Sequence, residues 1–167
     1  MIELKRTRYI PEGLDITALP EVPGTFWGKL FRRLFDAFGD PYWWPGRDPW
    51  EVAVGAVLTQ NTAWQNVEAA LEHLRRKGWT GPDAILHSPE PELARAIRPA
   101  GYYNTKAKKL LHLATWWKEW VLNGKVNSLD DGELRAQLLG IWGVGPETAD
   151  GIACYAFGRP VFVVDAY

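Results

Sequence analysis

The sequence predicts an all-α protein. Apolar residues recur at three- and four-residue spacing through most of the chain, capping residues and glycines punctuate those runs, and no alternating pattern lasts long enough for a sheet. Residues 1–24, with Pro11, Pro20 and Pro23, form an extended lead-in to a helix on Phe26, Leu30, Phe31, Leu34, Phe35 and Phe38, closed near Gly39. A Pro- and Trp-rich loop follows, and Asp48-Pro49 pairs a capping acid with a proline at the first helical position of a helix reaching about Thr59. Val52, Val54, Ala56, Val57 and Leu58 leave that helix few polar positions, so it belongs at the centre of the core. Trp64 to Lys77 is a helix with Val67, Ala70, Leu71 and Leu74 on one face, ended by Gly78. Short helices follow Gly81-Pro82 and a cap at Ser88, the second ending before Pro99. Thr105 to Leu122 is a long helix, and a cap at Ser128 starts another from Leu129 to Leu139. A tight turn at Gly143-Val144-Gly145-Pro146 then opens a last helix from Glu147 to Phe157, and only Val161 to Val164 reads as strand. The chain divides into residues 1–47, a helical unit over 48–157, and a return segment over 158–167.

Composition narrows the function classes. The chain has 167 residues, 47% of them apolar, and 19 Lys plus Arg against 20 Asp plus Glu, for a net charge of -1. Charge-driven disorder and an all-round basic coat are excluded, so any polyanionic partner must meet a local patch. The single cysteine, Cys154, rules out an internal disulfide framework and a Cys-rich metal cluster held by this chain alone; a reducing cytoplasm is the expected compartment. The apolar runs fall far short of the roughly 20 residues of a membrane span. His73, His87 and His112 have no ligand spacing, and Cys154 reads as an inert residue on an apolar helix face. Ten tryptophans are many for this length. They fill a core, or they supply stacking faces.

Leu138 to Ala149, LLGIWGVGPETA, is a helix end, a turn with two glycines and a new helix start. Glycines let backbone approach a ligand closely, and free amides at a helix start attract an anion, so Gly143, Val144 and Gly145 form a candidate phosphate site. Asp165 ends an apolar run, where a carboxylate is either a helix cap or a functional acid. Lys106, Lys108 and Lys109 add positive charge at a helix start, or simply solvate a face.

This turn, with the AFGRPVFVVDAY that follows it, resembles the helix-hairpin-helix and catalytic-aspartate segment of the endonuclease III superfamily of DNA glycosylases. Leu58-Thr59-Gln60-Asn61-Thr62 resembles that family's segment whose glutamine enters the gap left by an extruded base, and Gly101-Tyr102-Tyr103-Asn104-Thr105-Lys106-Ala107 resembles its wedge loop. The resemblance implies an all-α six-helix domain with the hairpin at about residues 134–157. The N-terminal helix would belong to a second helical domain whose remainder is missing. It also implies double-stranded DNA containing a damaged base as partner, with no obligate protein partner and no membrane. Removing a base requires taking it out of the stack, which costs a few kcal/mol. Gln60 and Asn61 would face the orphaned base, Tyr102 or Tyr103 would slide between bases, and Asp165 would stabilise the charge growing on deoxyribose or orient water.

Two departures from the family pattern shape the expected chemistry. Bifunctional members carry a lysine where this chain has Glu147, and a glutamate cannot form an imine. The implied enzyme is therefore a monofunctional N-glycosylase that leaves an intact abasic site. The turn and ending are most similar to the branch acting on alkylated purines such as 3-methyladenine, whose positive charge suits a pocket of Trp43, Trp44 and Trp64. Glu147 adds a negative wall to that pocket or only complements its helix dipole. The alternatives are a truncated or degenerate hairpin module that binds DNA without chemistry, and mispaired adenine or oxidised pyrimidine as substrate. Many members also ligate an iron-sulfur cluster with four cysteines; Cys154 alone cannot, so a cluster would require chain past Tyr167.

Overall fold

The computed structural model describes residues 24–39, 44 and 46–165, and among them every regular element is helical. In chain order these are α1 (Phe26–Phe38), α2 (Pro49–Leu58), α3 (Trp64–Arg76), α4 (Pro82–His87), α5 (Glu90–Ala96), α6 (Tyr103–Trp120), α7 (Asp131–Leu139) and α8 (Pro146–Phe157). Of the lead-in expected over residues 1–24, residues 1–23 lie outside the described residues, as does Trp43.

Helix α2 is the axis of the fold. Asp48 accepts the Glu51 N–H at 2.8 Å and Pro49 occupies the first turn, so the start forms as the sequence dictates. Every residue from Val52 to Leu58 is buried, and α2 packs along α8 and against α6 and α3. On α3, Val67, Ala70, Leu71 and Leu74 all face inward. Helix α1 differs: Phe26, Trp27, Leu30, Phe31, Leu34 and Phe38 are exposed along it.

Several boundaries differ from the sequence reading. Ser88 does not cap α5; its buried hydroxyl turns back and donates to the Ile85 carbonyl at 2.7 Å, closing α4, while Pro89 flanks the start of α5. Ser128 likewise donates to the Lys125 carbonyl within a 3-10 turn, and α7 starts later, at a capping box of Asp130 and Glu133. A serine hydroxyl satisfies a carbonyl behind it as readily as an amide ahead, so a serine before a helical pattern does not by itself mark a cap. The two short helices expected on either side of Ser88 form as α4 and α5, so seven α-helices lie between residues 48 and 157, one more than the six-helix domain that the resemblance implied. Val161–Val164, the one run read as strand, forms no regular element, and no strand occurs among the described residues. A single β-favouring run has no neighbour to complete its hydrogen bonds.

Candidate nucleic-acid interface and base pocket

The turn between α7 and α8 is held from both sides. Val144 buries its side chain and donates its N–H to the Ile141 carbonyl at 3.0 Å, so of the three expected phosphate donors this amide is already spent. The amides of Gly143 and Gly145 make no hydrogen bond among the described residues, and the space a Cβ would occupy at Gly145 is open. With the first-turn amides of α8 they leave an anion-accepting end. Gly143 is in the left-handed region at φ +85°, and a Cβ there would meet the Lys109 side-chain carbons at 2.5–2.7 Å. Only glycine meets both conditions.

Gln60, at the end of α2, lies against this hairpin. Its Nε2 donates to the Gly143 carbonyl at 3.1 Å and to Thr148 Oγ1 at 2.9 Å, while its Oε1 accepts from Lys109 Nζ at 2.5 Å. Both of its amide hydrogens are thus used within the protein. The neighbouring Asn61 is exposed and adopts φ +54°. Tyr102 is the one other non-glycine residue with positive φ among the described residues, at +44°; it precedes α6 and is 74% exposed. A bulky side chain in that region is strained by roughly 1 kcal/mol or more, and such strain concentrates at functional sites. Tyr103, the other candidate wedge, is partly buried against the core.

Lys106 departs most from expectation. It is not a solvated charge: it is 2% exposed, and Nζ donates to the carbonyls of Leu58 at 2.8 Å and Ala100 at 2.7 Å. Burial, aided by Lys109, pushes its pKa down to about 8. Lys109 is half-buried and Lys108 is exposed.

Of the three tryptophans of the expected pocket, the two described, Trp44 and Trp64, meet. The Trp44 ring stacks on Tyr155 of α8 at 5.2 Å and 9°, and meets Trp64 edge-on at 5.5 Å. Gly55 makes room for the pair, because a Cβ there would come within 3.3 Å of the Trp64 ring and 3.6 Å of Trp44 Nε1. Trp64 Nε1 donates to Glu68 at 3.1 Å, whereas the buried Trp44 Nε1 has no partner. Tyr155 escaped the sequence reading, since on α8 its spacing looked like ordinary core.

Glu147 is exposed in the first turn of α8, and Asp165 is exposed at the end of the described return segment. That segment leaves α8 through Gly158 in the left-handed region, and Arg159 then ties it to α7 by donating to Asp131 and to the Leu129 carbonyl, each at 3.0 Å. Cys154 is half-buried with its thiol pKa raised by burial, and as the only cysteine it does not fit a four-cysteine cluster. No group of three or more metal-ligating side chains occurs among the described residues, and no helix there is long and apolar enough to cross a membrane.

Fold and site together define a helix-hairpin-helix domain with an anion-accepting turn, braced by Gln60, and two exposed loop residues, Asn61 and Tyr102. The chain belongs to the HhH-GPD superfamily of base excision DNA repair proteins, matching that family over residues 54–167. It is 45% identical over 142 residues to a candidate DNA repair glycosylase of Methanocaldococcus jannaschii, covering 83% of this chain and 64% of that one. A thymine/uracil-DNA glycosylase of Methanothermobacter thermautotrophicus is 30% identical over 142 residues, 85% of this chain and 58% of its own. Among solved structures, the 3-methyladenine DNA glycosylase of H. pylori bound to 1,N6-ethenoadenine superimposes with a TM-score of 0.69 at 34% identity, over 82% of this chain and 66% of that one. The chain spans less than two thirds of the length of these relatives.

Proposed function

We propose that this protein is a monofunctional DNA glycosylase that removes an alkylated purine, 3-methyladenine in type, from duplex DNA. The observation that carries the reading is Glu147, exposed in the hairpin's second helix at the position where the family's bifunctional members present a nucleophilic lysine. A carboxylate cannot condense with the sugar, which leaves water to attack C1′ while the base departs. Asp165 stabilises the positive charge that develops on deoxyribose, or orients that water.

The substrate assignment rests on the rings. A methylated purine is cationic and leaves readily, and the partly exposed cluster of Trp44, Trp64 and Tyr155 supplies aromatic surface for stacking and cation–π attraction. The similarity to the H. pylori enzyme points the same way. For the DNA itself, the Gly143 and Gly145 amides donate to a backbone phosphate, Tyr102 rather than Tyr103 is the wedge, and Asn61 rather than Gln60 fills the vacated stack. Asn61 takes that role because it is exposed at the tip of its loop, whereas the Gln60 amide is committed to the hairpin.

The test is release of free base from duplexes carrying 3-methyladenine, uracil or thymine opposite guanine, mispaired adenine and an oxidised pyrimidine. Excision of 3-methyladenine that falls at least a hundredfold in Asp165→Asn is the expected result. Preference for uracil or thymine would transfer the assignment to the chemistry named for the Methanothermobacter relative. Binding without release of any base would leave a DNA-binding module.

A further inference from the structure

Lys106 is an ammonium that the chemistry above does not use. It lies in the first turn of α6, its two protein partners are main-chain carbonyls, and it occupies core volume that a methionine would fill without the cost of burying a charge. Its partners explain its placement. Leu58 is the last residue of α2, whose C-terminal carbonyls lack helical partners and attract a cation. Residues 59–63 continue from it to the tip at Asn61. Ala100 ends the 3-10 turn Arg98–Ala100, from which Gly101 leads directly to Tyr102. One nitrogen therefore joins the bases of the two loops whose tips hold the two strained non-glycine residues.

We propose that Lys106 is a positioning residue that fixes the Asn61 loop against the Tyr102 loop, so that the two side chains enter the duplex as one unit. Lys109, one turn further along α6, extends the tie to the hairpin through Gln60 and the Gly143 carbonyl. Three DNA-facing loops from distant parts of the chain thus hang from one face of one helix. Insertion of a plug and a wedge opens the stack only when both arrive at their proper separation, and loops without this link would sample many separations. The proposal rests on the reading of Asn61 and Tyr102 given above.

The experiment is a double-mutant cycle in the full chain, with and without the lysine. The probe is a duplex with 2-aminopurine opposite an abasic-site analogue, whose fluorescence rises as the probe base loses its stacking. Asn61→Ala and Tyr102→Ala, singly and together, are titrated in the wild-type and Lys106→Gln backgrounds, with helical circular dichroism as the check on folding. In the wild type the two substitutions are expected to be non-additive by roughly fivefold in the concentration giving half the signal, and in Lys106→Gln by less than twofold. A coupling that survives in Lys106→Gln, or is absent from the wild type, overturns the proposal. If neither single substitution alters the signal, the plug-and-wedge reading itself is wrong. Should Lys106→Gln fail to fold, native-state hydrogen exchange of the wild type decides: amides of 59–63 and 101–103 opening in one event uphold the link, and separate openings refute it.

Discussion

Gln60 and Gly143, 83 residues apart in the chain, are joined by a 3.1 Å hydrogen bond from a side-chain amide to the carbonyl of a left-handed glycine. The bond holds the end of the central helix against the turn between α7 and α8. It also separates two adjacent polar residues by task, Gln60 bracing the protein and Asn61 left facing outward.

That separation makes opposite predictions for the neighbours. Gln60→Ala strands the Thr148 and Gly143 oxygens and the Lys109 ammonium, and should lower stability by about 1–3 kcal/mol in urea unfolding. Asn61→Gly relieves a positive φ and should hold or raise stability by up to about 1 kcal/mol while weakening affinity for a duplex with an extruded base. Equal stability losses in both variants would contradict the division.

The buried ammonium of Lys106 sets a pH dependence. Its pKa is about 8 when folded and near the ordinary 10.5 when unfolded. Between those values the unfolded chain binds the proton that the folded chain has released, so this group's contribution makes stability rise with pH, and the penalty for burying its charge is complete below about 8. Measured against Lys106→Met across pH 7 to 10.5, the wild type should gain up to about 3 kcal/mol of relative stability. A flat difference would mean that the ammonium titrates normally.

Trp44 carries a buried indole N–H with no partner, a cost that phenylalanine at this position avoids while keeping a ring against Tyr155. Trp44→Phe should therefore remain within about 1 kcal/mol of the wild type, whereas Trp44→Ala, which uncovers both Tyr155 and Trp64, should lose more than about 2 kcal/mol. Chemical denaturation of the three proteins separates these outcomes.

Glu147 governs covalent trapping. Borohydride should capture no adduct between the wild-type protein and lesion DNA, because the hairpin offers no amine at this position. Glu147→Lys, which places an amine in the first turn of α8, should yield a trapped adduct at detectable levels on the same DNA. An adduct with the wild type would implicate another lysine and overturn the water mechanism.

Much of the fold was legible because helix signals are local. Asp48-Pro49, Gly78 and the inward stripe of α3 each act within a turn or two of chain, and all reappear in the structure. Ser88 and Ser128 misled because a hydroxyl serves either end of a helix, and the choice depended on Pro89 and on the Asp130–Glu133 box. Lys106 looked like a surface charge because its partners, Leu58 and Ala100, are backbone carbonyls that no side-chain pattern reveals.

The amino-acid sequence alone determined the helical class, the central place of α2, the glycine-bearing hairpin and the absence of an amine at Glu147, since each follows from residue identity and short-range spacing. Only the tertiary structure decided that Gln60 braces while Asn61 projects, that Tyr102 protrudes while Tyr103 packs, and that Tyr155 joins Trp44 and Trp64. The physical reason is that exposure and hydrogen-bond partnership arise where segments remote in sequence meet, and neighbours identical in chemistry part company according to which of them faces the contact.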